Sequence, residues 1–331
     1  MQLKEIGEFG LIEKIRRATP KGRGVHLGIG DDAAWVESRN HSLLITADLL
    51  IEGVHFDLKW ISFYGLGYKT LAVNLSDLAA MGGRAAYLTL SLGIPVDFKS
   101  EDIEEFYRGV RALAAKNGVA LVGGDMSAAK RFFISASLIG YAPYGAITRS
   151  GGQIGDDLYV TGTLGDSALG LKLLKGKRGE TKKSGARHLI SRHLFPSPRM
   201  KAGAILARER LARAMIDLSD GLLQDLGHLC KASGVGAVVW QEALPLSRAY
   251  RLFAGSKRPL YALTGGEDYE LLFCLRHRDR RRLEKFRRYL GVSISHIGKC
   301  VPASEGIRII NGNRAPPSIS TTGYDHFKIR A

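Results

Sequence analysis

Cysteine is scarce. The 331-residue chain has only Cys230, Cys274 and Cys300, and no C-x-x-C pair. That argues against a disulfide framework or a structural zinc site, and for reduced thiols in the cytoplasm. The nine histidines show no H-x-x-x-H spacing, which disfavours zinc catalysis as well. No run of about 18 apolar residues occurs, so no membrane span is expected. The opening MQLKEIGEFGLIEKIRR is charged from residue 4 and lacks the apolar centre of a signal peptide. Several catalytic patterns are also missing. There is no G-x-x-x-x-G-K-[ST], no H-R-D-x-x-x-x-N with D-F-G, no G-x-S-x-G and no H-E-x-x-H. Gly28-Ile29-Gly30 is followed by no third glycine, so a dinucleotide fold is weakly supported.

What is present is a globular composition, 45% hydrophobic and 24% charged, on a chain too long for one ordinary core. Two domains are expected, 1–148 and 149–331, divided at the turn-rich ITRSGGQIGD (147–156). The net charge of +16 is lopsided. Residues 1–150 carry 17 basic against 16 acidic side chains, and residues 151–331 carry 31 against 16. The excess lies in KGKRGETKKSGARHLISR (175–192) and RHRDRRRLEKFRRY (276–289). The first is polar and expected to be mobile around 175–188. In the second, Leu283, Phe286 and Leu290 recur at helical spacing, so a basic outer face on an amphipathic helix is predicted. A nucleic-acid surface would need interleaved aromatics for stacking, and only Phe286 and Tyr289 are near. Nucleic acid is therefore not an expected partner.

Strand and helix patterns alternate throughout. SLLITAD (42–48), AAYLTLSLGI (85–94), VALVGG (119–124) and RFFISASLIGYA (131–142) read as strands. SEDIEEFYRGVRALAAKNG (100–118) reads as a helix with Ser100 as N-cap and Gly118 as C-cap. The second half repeats the mixture, with DLYVTG, MIDLSD and YELLFCLR as strands. The class is α/β of the α+β type, in both halves.

Carboxylates recur beside small residues at the ends of apolar runs: GDD (30–32), TAD (46–48), LSD (75–77), GGD (123–125), IDLSD (216–220) and GGED (265–268). One Gly-Asp is ordinary turn chemistry, but six exceed what turns require. YKTLAVNLSDLAAMGG (68–83) reads as a helix apolar nearly all round. Asp77 inside it is either hydrogen-bonded, to Asn74 or as a cap, or it is a metal ligand. The second is favoured because Lys69 is the only basic residue in that helix. Asp217 and Ser219 are two apart on a strand and face one way, and Asp220 reads as the cap of the next helix. Hard cations take oxygen ligands, and Mg2+ commonly bridges carboxylates to substrate phosphates. Acids gathered from several strand ends thus predict more than one Mg2+ holding a polyphosphate. Arg149, in a Gly/Ser loop, suits a phosphate fork or a surface. His55 is open to packing, substrate binding or proton transfer, with binding favoured. Tyr324 stacks on a ring or anchors the tail.

Together the motifs resemble the thiamine-monophosphate kinase family, in the superfamily of aminoimidazole ribonucleotide and selenophosphate synthetases. GEFGLI (7–12), GIGDDAA (28–34), KTLAVNLSDLAAMGG (69–83), LVGGD (121–125), VTGTLGDSALGL (160–171), HLFPSPR (193–199), IDLSDGLLQDLGHL (216–229), GGEDYELLF (265–273) and GYDHF (323–327) carry the resemblance in order. It implies a homodimer whose N-terminal domains, binding ATP and Mg2+, form a β-barrel with each other, and a C-terminal mixed α/β sandwich. It implies direct transfer of the ATP γ-phosphoryl group to thiamine monophosphate. By motif position the metal ligands are Asp32, Asp48, Asp77, Asp125, Asp217 and Asp220, with Thr46 nearby, and Asp32, Asp77 and Asp217 are central to catalysis. ATP meets Gly124, Asp125, Arg149 and Ser219; thiamine monophosphate meets His55, Glu267 and Tyr324. Relatives often carry a hydroxyl where Ala47 stands, so a side-chain ligand is missing there. An aminoimidazole ribonucleotide synthetase-like activity is the alternative, against which GGEDYEL and GYDHF weigh. The hydrogenase-maturation and selenophosphate relatives need a cysteine at the C-terminus or near the N-terminus, which this chain lacks.

Overall fold

The computed structural model describes residues 3–18, 24–38, 41–176, 184–255 and 258–311. Residues 177–183 of the basic 175–188 segment, and Tyr324, fall outside them. The N-terminal half runs α1 (Leu3–Ala18), β1 (Val25–Leu27), β2 (Ala34–Ser38), β3 (His41–Ile51), α2 (Phe63–Ala80), β4 (Arg84–Ile94), α3 (Ser100–Asn117), β5 (Ala120–Ala128) and β6 (Phe133–Tyr141). Its strands form one six-stranded sheet in the order β1-β2-β3-β6-β4-β5. Only the β4–β5 pair is parallel.

Helices α2 and α3 cover one face of this sheet, where Leu44, Leu88, Leu90, Ile134 and Leu138 are buried. The two helices cross at a pair of glycines. A Cβ on Gly67 would lie 1.9 Å from the Phe106 carbonyl oxygen, and one on Gly109 would lie 1.9 Å from that of Tyr64. Glycine in a helix costs about 1 kcal/mol against alanine, so close approach is what retains it. Gly109→Ala is expected to destabilise the protein by about 2 kcal/mol, since overpacking outweighs the propensity gain. Denaturant unfolding checks this; equal or higher stability would contradict the crossing geometry. Lys99, one residue before Ser100, is the observed N-cap of α3, because Asp102 accepts a hydrogen bond from its backbone N–H at 3.1 Å. Gly118 closes the helix in the left-handed region as expected.

No helix among the described residues covers the other face of the sheet. Ile45, Leu49, Tyr87 and Phe133 are exposed there, and edge strand β5 is exposed along its whole length.

The C-terminal half runs β7 (Asp157–Thr161), α4 (Asp166–Lys175), α5 (Ala186–Leu194), α6 (Met200–Arg208), β8 (Ala212–Asp217), α7 (Leu222–Ser233), β9 (Val235–Trp240), α8 (Arg248–Phe253), α9 (Arg258–Thr264), β10 (Leu271–Leu275), α10 (Arg280–Phe286), β11 (Ile294–Pro302) and β12 (Ile307–Ile310). A second mixed sheet results, ordered β12-β9-β11-β7-β10-β8. Helices lie on both faces, so β7 and β10 are buried throughout. In α10 Leu283 is buried and Phe286 packs beside it, as the spacing predicted. The end of α2, at Ala79 and Ala80, packs into the same cluster as α6 and this second sheet. Helix α2 therefore belongs to both halves, and it carries Asp77 to their junction.

Candidate active site

Three carboxylates meet at that junction. Asp32 arrives on the turn after β1, Asp77 from α2 and Asp217 from the end of β8. One oxygen from each lies within 4.8 Å of the others. Thr46 Oγ1 donates to Asp77 Oδ2 at 2.5 Å, and Ser76 Oγ donates to Asp217 Oδ2 at 2.6 Å. Asn74 instead donates to the Thr70 carbonyl, so it is not the partner of Asp77. Burial pushes the Asp77 carboxyl well above its ordinary value, and Asp48, Asp217 and Asp32 push it further. Asp217 is raised by burial and then by Asp32. Burial alone lifts Asp48 to about 6.

Among the described residues, one cation answers these acids directly. Arg149 Nη2 lies 2.8 Å from Asp32 Oδ1. Asp31 plays a different part: it accepts hydrogen bonds from the backbone N–H groups of Asp32 and Arg149, tying the turn to the interdomain segment. A single guanidinium leaves a buried surplus of negative charge. Asp32 Oδ2 is buried with no partner among the described residues. An all-oxygen donor set with an orphaned carboxylate oxygen suits a hard divalent cation.

Asp77 and Asp217 of this cluster line a cavity of about 1340 Å³ between the two halves. Asp48, His55, Asp77, Asp217, Ser219, Asp220 and Glu267, all singled out from sequence, line it. His55 Nδ1 accepts from the Ile51 N–H at 3.0 Å, which places the proton of the neutral ring on Nε2. Ser219 lies past the end of β8 rather than on it. Asp220 is not the cap of α7. Gly221 holds that position, and Asp225 reaches back to accept from the N–H groups of Asp220 and Gly221. Asp48 and Asp125 sit inside β3 and β5, not at strand ends.

Gly124 and Asp125 do not join the cluster within one chain. Cross-strand register aligns Asp48 with Ala136, Leu90 and Gly124, and Asp125 with Ser91, Ser135 and Leu49. Alternation along strands puts Asp125 on the opposite face from Asp48, three strand spacings or about 14 Å away. Gly124 is needed for packing, since its φ is +157° and a Cβ would lie 1.8 Å from the Leu90 carbonyl oxygen.

Sequence reasoning missed a second charged cluster on the cavity wall. Glu267 stands in the left-handed region, with φ 64°. Its carboxylate meets Lys69 Nζ at 3.1 Å and His193 Nδ1 at 2.9 Å. Burial opposes its ionisation, but Lys69 and His193 outweigh burial and hold its pKa well below the usual range. Neither Glu267 nor Asp268 is a bare carboxylate. Asp268 accepts from the N–H groups of Gly165 and Ser167 at the start of α4. Behind them Glu270 binds Arg192 and Arg199. The available signals were Lys69 alone in an apolar helix and His193 opening HLFPSPR.

His228, on α7, packs its ring against Phe9 at 4.5 Å between centroids. Its pKa is pushed down to about 4, first by burial and then by Arg149, with Lys231 adding to this and Asp32 opposing it. A depressed histidine stabilises the fold above its unfolded pKa and loses that contribution as pH falls. Between pH 6.5 and 4 the protein should lose up to about 3 kcal/mol through this group. His228→Gln should flatten that part of the stability profile, and an unchanged slope would contradict the assignment.

The AIR synthase related protein N-terminal domain model matches residues 30–142, and the C-terminal domain model matches residues 153–311. Thiamine-monophosphate kinase of Salmonella typhimurium is 42% identical over 325 residues, 97% of this chain and 98% of that one. The solved structure described as AaThiL complexed with AMPPCP and TMP superposes with a TM-score of 0.86 at 34% identity, over 98% of this chain and 99% of that one. The thiamine-monophosphate kinase structure from Stenotrophomonas maltophilia K279a gives 0.76 at 40% identity, covering 91% and 96%. With both domain models matched in order and relatives aligned almost end to end, the chain belongs to the thiamine-monophosphate kinase family.

Proposed function

We propose that this kinase passes the γ-phosphoryl group of ATP directly and in line to the phosphate of thiamine monophosphate, at the cluster of Asp32, Asp77 and Asp217. Three carboxylates gathered there against one guanidinium among the described residues are the observation that carries this reading. Asp32, Asp77 and Asp217 would hold Mg2+, with Asp48 and Thr46 beside them and Asp220 on the cavity wall. Bound there, the ions supply charge neutralisation for the phosphates. The protein's own part is alignment. Ser219 and Arg149 border the phosphates, with Arg149 exchanging Asp32 for substrate. His55 offers its Nε2–H to the acceptor, and Glu267 and Tyr324 hold the thiamine end. No general base is required, because a phosphate monoester with a second pKa of about 6 is already ionised near pH 7.

The domains divide at 148/149, the first binding ATP and Mg2+ and mediating dimerisation. The exposed sheet face and the unpaired β5 edge support a barrel closed by a second copy. That arrangement gives Gly124 and Asp125 a role that one chain denies them: they serve the partner's site. The absence of a long apolar helix among the described residues and the reduced thiols support a cytoplasmic location. The test is product formation. Purified protein with ATP, thiamine monophosphate and Mg2+ should yield thiamine diphosphate, and EDTA should stop it. No product with any divalent cation would contradict the proposal.

A further inference from the structure

We infer that Lys69 and His193 are positioning residues that fix the Glu267 carboxylate for the acceptor substrate, and that helix α2 spaces it from the phosphoryl-transfer end of the cavity. The inference rests on the role proposed for Glu267. Glu267 is held in a backbone conformation that its side chain does not favour. Its own N–H donates to the Ser219 carbonyl at 2.7 Å, which anchors the backbone but leaves the carboxylate to be aimed. Lys69 Nζ takes both oxygens, at 3.1 and 3.2 Å, and His193 Nδ1 takes Oε2 from the other side, with Ser167 Oγ 3.0 Å from the same nitrogen. Lys69 is only 2% exposed, so it is not a solvated surface charge that drifted into contact. A buried lysine is costly unless it is paired.

Lys69 and Asp77 share α2, eight residues apart, or about 12 Å along the axis. The carboxylate cluster and the Glu267 anchor are thereby attached to one rigid element. A substrate with a phosphate at one end and rings at the other needs such a fixed separation.

Steady-state kinetics with each substrate varied separately tests this. Lys69→Met should raise KM for thiamine monophosphate at least tenfold and leave KM for ATP within twofold; Lys69→Arg should recover most of the loss. Lys69→Met strands a partly buried carboxylate, so the folded comparison is Lys69→Met/Glu267→Gln against Glu267→Gln alone. If Lys69 acts through Glu267, the two have the same KM for thiamine monophosphate. A further tenfold rise in the double variant would overturn the inference, as would Lys69→Met raising both KM values together or neither. Wild-type protein that forms no thiamine diphosphate would count against the proposed function instead.

Discussion

Asp77→Asn should lower kcat/KM for thiamine diphosphate formation by at least about 10³-fold while the protein stays folded. Metal-assisted charge stabilisation supplies several kcal/mol to phosphoryl transfer, and each 1.36 kcal/mol is tenfold in rate. Asp77 is the carboxylate that Asp48, Asp217 and Asp32 all face, so it is the most exposed to the loss of a shared cation. Asparagine keeps the shape and still accepts from Thr46 Oγ1. It also removes one of several mutually repelling acids. Thermal unfolding in EDTA should therefore occur at the same temperature as wild type or higher, and Mg2+ should add less stability than it adds to wild type. Activity within tenfold of wild type would place the metal elsewhere. A lower melting temperature in EDTA would make Asp77 a structural residue.

Asp125→Asn should cost about 10² to 10³ in kcat, although Asp125 lies on the wrong face of its own sheet to reach the cluster. The informative experiment mixes variants. Chains carrying Asp77→Asn and chains carrying Asp125→Asn are each inactive as homodimers. Paired at random, half of the dimers are mixed. If Asp125 serves the partner's site, one site in each mixed dimer is intact, and activity returns to about a quarter of wild type. If Asp125 serves its own site, every site carries one defect and nothing returns. The exposed Leu121, Val122 and Met126 on β5 give the same geometry a second check. A charge at Val122 should split the dimer and abolish activity together, as seen by sedimentation and by assay.

The members of the carboxylate triad were legible as acids with a glycine or serine within two positions in an apolar run, Asp77 further because nothing else in its helix explained it, and the resemblance to the kinase family set these three apart from the other acids. The mixed α/β character of both halves was legible for similar local reasons. What was hidden depends on partners far away in the chain. Lys69 and Glu267 meet across 198 positions, and no local period encodes that. The displacement of Asp125 follows from strand pairing, because a side-chain period of two is silent about which strands are neighbours. Asp220 was read as a helix cap because its position favours one. Asp225, five residues on, takes the N–H group instead, as a longer reach within the same turn allows. Ser100 yielded to Lys99 for the same reason, with Asp102 closing the turn from inside the helix.

The most direct measurement is to follow the label from γ-phosphate-labelled ATP in a single turnover with thiamine monophosphate and Mg2+. Direct transfer between phosphates predicts that the label appears in thiamine diphosphate, one per ADP formed, with no inorganic phosphate released. Label recovered as inorganic phosphate, or ADP formed without thiamine diphosphate, would contradict the account.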